Sequence, residues 1–295
     1  MSEPIVGLIG GSGLGQALAD QLTGEARDVS TPFGPPSGPV LMGEIDGRRI
    51  AFLSRHGEGH MLRPSAVPYR ANIYALKKLG VTHIIASGAT GSLQEEIRPR
   101  DIVICDQVID KTWARPNTFF DDFVAHIEFA DPFCPSLRRV LVATAESIGL
   151  KVHPAGTYVC MEGPQFSTRA ESRMHRRWGA HLIGMTCMPE AKLAREAELC
   201  YALVAMATDY DCWREHQGHA DQQTLLAEII GNLNAATAGA LQLIRAAVPR
   251  IGAGAADDAC SCRDALKLAI WSDRKRIRSA AVEKLAPIVG RYFDA

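Results

Sequence analysis

Hydrophobic residues in this chain are concentrated in short, dense runs separated by longer amphipathic stretches. The runs predict strands over residues 4–9, 81–86, 156–161, 182–186 and 199–206. The last run is almost entirely apolar, which is typical of a strand buried on both faces of a sheet. The amphipathic stretches predict helices over residues 66–79, 135–148, 189–198 and about 221–248, with a further helix from residue 168. Because strands and helices alternate, the predicted fold class is α/β: a single domain with a central mixed, largely parallel β-sheet flanked by helices.

Four further segments complete this predicted body. Residues 40–45 and 49–53 alternate between apolar and polar positions, and the Asp46-Gly47 pair between them predicts a β-hairpin. Residues 101–109 predict one more strand, whereas the prolines and glycines of residues 31–39 predict a loop. Residues 110–131 form a long excursion, and such segments are usually lids or interfaces.

The end of the chain departs from this pattern. Residues 252–258 are mostly small and predict a linker, and the tail from Cys260 to Phe293 predicts one or two helices. Because this tail is too short to bury a core of its own, we expect it to pack on the body. The predicted division is a main domain over residues 1–252 and a C-terminal helical extension over residues 253–295 that packs on the same domain.

Composition and charge narrow the functional classes. Of the 295 residues, 47% are hydrophobic and 22% are charged, as in an ordinary globular protein. The net charge of −1 gives no electrostatic reason to expect nucleic acid or an anionic membrane as a partner. No apolar run has the length of a membrane span, and the first residues lack the features of a signal peptide, so we expect a cytoplasmic protein.

Eight cysteines are spread along the chain, at positions 105, 134, 160, 187, 200, 212, 260 and 262. They include no CxxC pair and no spacing typical of metal ligands, and the single residue between Cys260 and Cys262 is poor geometry for zinc. We therefore expect most of them to be core residues in a reducing compartment, and we expect no metal.

A glycine-rich turn, residues 10–15, follows the first strand. Its backbone N–H groups can approach an anion, and Ser12 adds a hydroxyl. A dinucleotide fingerprint needs a third glycine where Gln16 stands, so a nicotinamide-dependent oxidoreductase is disfavoured. The Lys-Ser/Thr pair of a P-loop is also missing. A turn that binds a smaller phosphate and a purely structural tight turn both remain open.

Two other segments have side chains or backbone suited to an anion. Arg55 and His56 follow the second strand of the predicted hairpin. A guanidinium binds oxyanions in bidentate fashion, so this pair predicts an anion clamp, although solvated surface is the alternative. Residues 87–92, which are Ser-Gly-Ala-Thr-Gly-Ser, predict a second small-residue loop whose backbone can contact a ligand.

Two carboxylates, Asp209 and Asp211, follow the buried run over residues 199–206. On an extended backbone, side chains two residues apart point to the same side, so both carboxylates are placed to face one ligand. Ligands of open α/β sheets lie just beyond the carboxyl ends of strands. The alternative is a polar strand exit in which an aspartate caps the next element.

Several longer motifs stand in order along the chain: Ile9-Gly10-Gly11-Ser12-Gly13-Leu14, Thr31-Pro32-Phe33-Gly34, Arg55-His56-Gly57, Gly91-Ser92-Leu93, Asp131-Pro132-Phe133-Cys134-Pro135, Glu162-Gly163-Pro164-Gln165-Phe166-Ser167, Met185-Thr186 and Ala207-Thr208-Asp209-Tyr210-Asp211-Cys212-Trp213. Together, over residues 5–250, they resemble the 5′-methylthioadenosine phosphorylases, in the trimeric branch of the purine nucleoside phosphorylase family. The resemblance implies a nucleoside phosphorylase-like fold and a pentosyltransferase. It would perform the reversible phosphorolysis of 5′-methylthioadenosine to adenine and 5-methylthio-ribose 1-phosphate, in methionine and purine salvage.

The resemblance also implies partners and a set of site residues. Inorganic phosphate is a co-substrate, no organic cofactor or metal is expected, and the enzyme would be a homotrimer with active sites near subunit interfaces. The implied phosphate site consists of Ser12, Arg55, His56, the backbone of Gly88 and Ala89, and Thr186. Relatives often have serine or threonine where this chain has Gly88, so a hydroxyl is missing there.

The nucleoside would lie beside this phosphate. Asp209 is the expected general acid at purine N7, which requires a raised pKa in a dry pocket, and Asp211 would support the base. Paired carboxylates accept hydrogen bonds from a 6-amino group and repel a 6-oxo group, which favours adenine. Met185 would lie under the ribose, Phe166 would stack on the purine, and His126 would reach the 5′ end of a neighbouring subunit's substrate.

The expected specificity residues are Ser167 and Gln222. Gln222 stands where the family usually has valine, and an unpaired amide against a thioether is unfavourable. Our hypothesis is that the preference for methylthioadenosine over adenosine is relaxed here; the alternative is that Gln222 simply faces solvent. An adenosine phosphorylase, a 6-oxopurine enzyme and a non-catalytic nucleoside-binding protein are the remaining alternatives. Relatives with this tail can form disulfides at the cysteines that match Cys260 and Cys262.

Overall fold

The computed structural model of the chain describes residues 4–11, 13–19, 22–214, 222–252 and 260–293, without the side chains of residues 15, 16, 19 and 222. Within these ranges ten strands form one mixed sheet. The strands are β1 (Ile5–Gly10), β2 (Gly24–Arg27), β3 (Val40–Ile45), β4 (Arg48–Ser54), β5 (Val81–Ser92), β6 (Ile102–Ile104), β7 (Gln107–Lys111), β8 (Thr157–Met161), β9 (Leu182–Gly184) and β10 (Cys200–Tyr210). The predicted α/β fold with a mixed, largely parallel sheet is confirmed.

The sheet is built around four mutually parallel strands in the order β4-β1-β5-β10. The β3–β4 hairpin and β2 extend one side, and β9, β8 and β7 extend the other from the end of β5. Because parallel strands end at the same edge, the glycine-rich turn after β1, the segment after β4 and the end of β10 meet there. This edge holds the candidate site.

Helices cover both faces of the sheet. They are α1 (Leu14–Ala19), α2 (Tyr69–Lys78), α3 (Pro135–Ser147), α4 (Arg169–Arg177), α5 (Cys187–Glu196), α6 (Gln222–Ala247), α7 (Ser279–Lys284) and α8 (Ala286–Val289). The start of α4 is fixed locally, because Thr168 and Glu171 form a capping box. None of the helices in the described ranges is both long and apolar enough to cross a bilayer.

Strand β10 shows why the sheet needs two layers of helices. Its side chains alternate between two hydrophobic clusters, with Tyr201 and Leu203 in one and Ala202 and Val204 in the other. Residues of α2 and α5 complete the first cluster, and residues of α3 and α6 complete the second. A strand buried on both faces therefore reads as one continuous apolar run, as the sequence predicted.

Three sequence predictions about strand boundaries were wrong. Residues 87–92 are not a loop: they continue β5, because each of them pairs with β10 across a parallel ladder. Strand β10 likewise runs on past Met206 to Tyr210, so Asp209 lies within a strand. The strand predicted over residues 101–109 is two strands, β6 beside β10 and β7 beside β8. Small residues mark close backbone approach here rather than an end of pairing.

The tail packs on the body within its described part, residues 260–293. Leu266, Leu285 and Ile288 join the hydrophobic cluster of α2 and α5, and Cys260 and Cys262 join that of α3 and α6. Of the excursion predicted over residues 110–131, residues 112–131 have neither helix nor strand, whereas residues 110 and 111 end β7. Ala125 pairs with Ile270 of the tail through one isolated bridge. The division at residue 252 stays a prediction.

Candidate active site

The glycine-rich turn lies directly on Arg55. A Cβ built at Gly11 would be 2.7 Å from Nη1 of Arg55 and 2.9 Å from the carbonyl oxygen of Ser87. The backbone N–H of Arg55 donates to the carbonyl oxygen of Gly10 at 2.9 Å. Only glycine allows this approach, so the structure brings the ends of β1, β4 and the middle of β5 together in one place.

Arg55 is completely buried and is held by a carboxylate that sequence reasoning did not single out. Its Nε and Nη2 donate to the two carboxylate oxygens of Glu190 on α5, each at 2.8 Å, and its Nη1 donates to the carbonyl oxygen of Ser87 at 2.7 Å. Tyr201 donates to the same carboxylate at 2.8 Å. Burial by itself lowers the pKa of Arg55, but the charge and hydrogen bonds of Glu190 more than offset this and raise it. The guanidinium therefore stays charged, and among the residues that the structure describes one N–H of each terminal nitrogen has no acceptor.

His56 is a neutral hydrogen-bonding group rather than a second cation. Its Nδ1 lies 2.7 Å from the carbonyl oxygen of Leu62, and since a carbonyl only accepts, Nδ1 carries the proton. Burial, helped by the charges of Arg55 and His60, lowers the pKa of His56 to about 4 in spite of that hydrogen bond. Near neutral pH its Nε2 is therefore an acceptor, suited to the hydroxyl of a partly protonated oxyanion.

Thr186 and Gly88 face each other next to this group. Oγ1 of Thr186 is 3.9 Å from a Cβ built at Gly88, and apart from the adjoining residues no other heavy atom of the described chain comes as close. Thr186 occupies the N-cap position of α5, yet its side chain makes no capping hydrogen bond. Its hydroxyl is thus not used by the helix. Ala89, the next residue of β5, is partly exposed.

Met185 is held in place by a loop and by Arg115. Gly163 has a φ of 66°, and a Cβ there would lie 2.6 Å from Sδ of Met185. Arg115 donates to the carbonyl oxygens of Met185 at 2.7 Å and of Glu162 at 2.6 Å, and it contacts the Glu162 carboxylate at 3.2 Å. The loop from Glu162 and the segment after β9 are therefore tied together by one buried cation.

The two aspartates lie at the end of β10, next to Gly91. A β-bulge at Thr208 shifts the register, so that Ala207 pairs with Thr90 and Asp209 with Gly91. Bulges next to active sites re-aim side chains. Oδ1 of Asp209 accepts from the hydroxyl of Thr208 at 2.6 Å.

The carboxylate of Asp211 includes an oxygen that has no partner among the described residues. Its Cβ is 3.3 Å from a Cβ built at Gly91, and its backbone N–H donates to the carbonyl oxygen of Ser92 at 2.9 Å. The residue is buried, but in the described part of the chain its Oδ2 has no hydrogen-bond partner. A buried carboxylate oxygen without a donor is costly, and a ligand N–H in the site would supply that donor.

Three predicted site residues are less enclosed. Ser167 lies close to the aspartates, because Cys212 donates to its carbonyl oxygen at 3.3 Å. The neighbouring Phe166 is 85% exposed in the single chain, so its stacking on a base stays a prediction. His126 contacts the tail, where its ring meets that of Trp271 edge-on at 4.9 Å and its backbone N–H donates to the carbonyl oxygen of Ala269 at 2.9 Å.

Two predicted site residues are not fully described by the structure. Ser12 lies outside the described residues. The backbone of Gln222 begins α6, but its side chain is not described. The expected hydroxyl at the phosphate site and the expected amide at the 5′ pocket therefore stay predictions.

Comparison with known proteins assigns the chain to a family. Residues 5–249 match the phosphorylase superfamily, a span that contains every site residue described above. The chain belongs to the phosphorylase superfamily.

Within this superfamily the chain is 50% identical over 294 residues to the S-methyl-5'-thioadenosine phosphorylase of Geobacter sulfurreducens, covering 98% of this chain and 99% of that protein. It is 44% identical to a methylthioadenosine phosphorylase sourced from an antarctic soil metagenomic library, whose crystal structure superposes with a TM-score of 0.87 over 98% of this chain and 99% of that one. The methylthioadenosine phosphorylase from Schistosoma mansoni in complex with adenine is 35% identical, with a TM-score of 0.84 over 91% of this chain and 99% of that one. The resemblance that the motifs indicated is confirmed.

Sequence reasoning missed two positioning residues of this phosphorylase-superfamily site, Glu190 and Arg115. Glu190 follows Pro189 in an apolar stretch, and an acidic side chain in a buried helix needs a cationic partner. That signal was present, but nothing in the sequence says that the partner is Arg55, 135 residues away. Arg115 lies in an excursion without a regular pattern, where the sequence gives no indication of burial.

Proposed function

We propose that this chain catalyses the phosphorolysis of S-methyl-5'-thioadenosine, releasing adenine and 5-methylthio-ribose 1-phosphate. The observation that carries the proposal is the identity of 50% to an S-methyl-5'-thioadenosine phosphorylase over 98% of the chain. The geometry agrees with it, because anion-binding groups and an unpaired carboxylate lie at one edge of the sheet. The proposed role is the salvage of adenine and of the methylthio sugar.

Phosphate would bind between the glycine-rich turn, Arg55, His56 and Thr186. The N–H groups of Arg55 that have no acceptor among the described residues would supply charge-assisted hydrogen bonds, and Nε2 of His56 would accept a hydrogen bond from a protonated phosphate oxygen. The backbone of Gly88 and Ala89 and the hydroxyl of Ser12 would complete the set. A phosphate held beside C1′ stabilises the oxocarbenium-like sugar as the C–N bond breaks, and it then attacks that carbon.

The departing purine carries negative charge that must be neutralised. Asp209 is the proposed general acid at N7, and Asp211 the proposed acceptor for the 6-amino group. The unpartnered Oδ2 of Asp211 supports this, because an exocyclic N–H would supply the donor that the described chain lacks. A 6-oxo group in the same position would place two acceptors against each other, so an aminopurine is favoured.

The sugar and base would be held by groups around Met185. Arg115 fixes the backbone of Met185, which is the proposed ribose contact. Phe166 would cover the purine, and Ser167 and Gln222 would contact the 5′ group. No organic cofactor or metal takes part in this scheme, in which phosphate is the co-substrate.

A homotrimer is proposed as the working assembly, because the family resemblance implies one and because Phe166, the proposed stacking residue, is 85% exposed while the ring of His126 meets that of Trp271 in the tail. Large exposed apolar side chains such as Trp113 and Phe166 flank the loop at Glu162, which is typical of an interface. Native mass spectrometry tests this: a monomer with full activity would contradict it. The cytoplasm is the proposed location.

The test of the activity is phosphate-dependent base release from methylthioadenosine, adenosine and inosine. We expect methylthioadenosine to give the highest kcat/KM and inosine the lowest. Adenosine in the lead would keep the chemistry and assign the 5′ specificity to Gln222, and Gln222→Val should then restore the preference for the methylthio group. Turnover of inosine alone, or release without phosphate, would overturn the proposal.

Asp209→Asn tests the role of the acid. We expect kcat for methylthioadenosine to fall by about 10²- to 10⁴-fold, the range for loss of a general acid. The kcat for inosine should fall far less, because the asparagine amide can donate a hydrogen bond to a 6-oxopurine. An equal loss for both substrates would mean that the substitution damages the site as a whole.

A further inference from the structure

Four cysteines from distant parts of the sequence converge in the interior, at Cys134, Cys200, Cys260 and Cys262. All four sulfur atoms lie within 4.8 Å of one another, and all four residues are buried. The Sγ of Cys260 is 3.3 Å from that of Cys134 and 3.4 Å from that of Cys200. These distances are too long for disulfide bonds, so the group is a set of four thiols.

The backbone of three segments fixes this arrangement: the start of α3, the start of β10 and the turn after Cys260. Cys134 is the N-cap of α3, and its N–H donates to the carbonyl oxygen of Tyr201 at 2.8 Å, which sets it beside Cys200 at the start of β10. Cys260 leads into a 3₁₀ turn, Ser261–Asp264, which contains Cys262 and directs both side chains to the same place. The spacing of one residue therefore does supply two converging sulfurs here, because the chain begins to turn between them.

We propose that these four cysteines bind one Zn²⁺ ion in a structural, tetrahedral site. Four sulfurs at about 2.3 Å from a zinc ion lie about 3.8 Å from one another, close to the separations in this cluster. As the ion enters, the four thiols release their four protons to solvent, and the Zn²⁺ ion with four thiolates forms a complex of charge −2. A tetrahedral set of four thiolates selects zinc over hard cations such as Mg²⁺.

The surroundings suit such a complex. The backbone N–H of Leu137, at the start of α3, donates to Sγ of Cys134 at 3.4 Å, and a helix N-terminus stabilises a thiolate. The four cysteines belong to one buried hydrophobic cluster and supply four protein ligands, the number found in structural rather than catalytic zinc sites.

The position of the site indicates what it does. Two ligands belong to the tail and two to the body, so a bound ion would join the two parts. Cys200 begins β10 and Asp209 lies near its end, roughly 30 Å away at 3.3 Å per residue. The ion would therefore anchor the tail without taking part in the reaction.

The experiment uses the full-length protein without a histidine tag, purified under reducing conditions without chelator. Zinc per chain is measured by elemental analysis and native mass spectrometry. The metal-free protein is titrated with Zn²⁺ in competition with a chromogenic chelator, and with Co²⁺ as a spectroscopic probe. Cys262→Ala removes one ligand, and Cys105→Ala is the matched control, a buried cysteine outside the cluster.

We expect about one zinc per chain in the wild type and the control, and a loss of at least tenfold in zinc affinity in Cys262→Ala. Co²⁺ should give the visible absorption of tetrahedral thiolate coordination, and zinc should raise the Tm of the metal-free protein. A mass lower by two or four hydrogens without zinc would show disulfides and overturn the proposal. Four free thiols that do not compete with the chelator for zinc would also overturn it. The mass measurement and the competition with the chelator both use the wild type, so they test the proposal even if Cys262→Ala fails to fold.

Discussion

Replacing Glu190 with glutamine removes the negative charge that faces Arg55 and keeps the size and shape of the side chain. Both groups are fully buried, and their two hydrogen bonds of 2.8 Å are bidentate. Breaking a buried pair by neutralising one partner leaves an uncompensated charge, which costs about 3–5 kcal/mol. We therefore expect Glu190→Gln to lower the free energy of unfolding by that amount.

The same substitution should weaken the binding of phosphate more than the binding of the nucleoside. Glu190 holds Nε and Nη2 of Arg55, so its loss frees the guanidinium to rotate away from the proposed anion position. A loss of about 1.4 kcal/mol in phosphate binding corresponds to a tenfold rise in the KM for phosphate. The KM for methylthioadenosine should change little. Urea unfolding followed by tryptophan fluorescence and initial-rate kinetics with each substrate varied provide the two measurements.

A matched control is the ion pair between Lys192 and Asp110, with an N···O distance of 2.6 Å and side chains that are 30% and 18% exposed. Because this pair is partly solvated, Asp110→Asn should cost at most about 1 kcal/mol and leave the KM for phosphate unchanged. Two results would contradict this prediction. One is that Glu190→Gln lowers the free energy of unfolding no more than Asp110→Asn does, and the other is that the KM values for phosphate and methylthioadenosine rise together. The first result would mean that the buried pair contributes no net stability, and the second that the whole site has been disturbed.

Three other changes test the geometry and electrostatics. Gly11→Ala places a methyl group 2.7 Å from Nη1 of Arg55, so kcat/KM for phosphate should fall at least about tenfold, a loss of about 1.4 kcal/mol. Gly88→Ser should be tolerated, because apart from the adjoining residues the nearest atom in the described chain is Oγ1 of Thr186 at 3.9 Å, and the serine hydroxyl should lower the KM for phosphate. Unfolding of the variant would contradict this. Burial raises the pKa of Glu196 to about 7 from 4.5, so the folded state holds a proton that the unfolded state loses between these values. The contribution of Glu196 to stability should therefore fall as pH rises through that window, by at most about 3 kcal/mol. Urea midpoints from pH 4 to 8 should show this slope as the difference between the wild type and Glu196→Gln, because His56 and His175, whose pKa values burial lowers, add a slope of opposite sign to both proteins.

Local patterns were sufficient for the architecture and for many of the site residues. The apolar run that becomes β10 identified a strand buried on both faces, because burial on two sides leaves no polar alternation. The turn at Asp46-Gly47 and the capped start of α4 are set by residues close in sequence. Arg55 and Asp209 were found because each lies at or near the end of a recognisable strand, and motif resemblance supplied the chemistry.

Tertiary structure decided which residues meet. The pairing of Arg55 with Glu190, the bulge at Thr208 that re-aims Asp209, and the convergence of four cysteines all join segments far apart in the chain. A hydrophobic period reports only which face of an element is buried, and it contains no information about the partner across the interface. The sequence therefore determined the elements and the kinds of group available. Packing at the edge of the sheet determined which donor, acceptor and sulfur atoms lie within bonding distance.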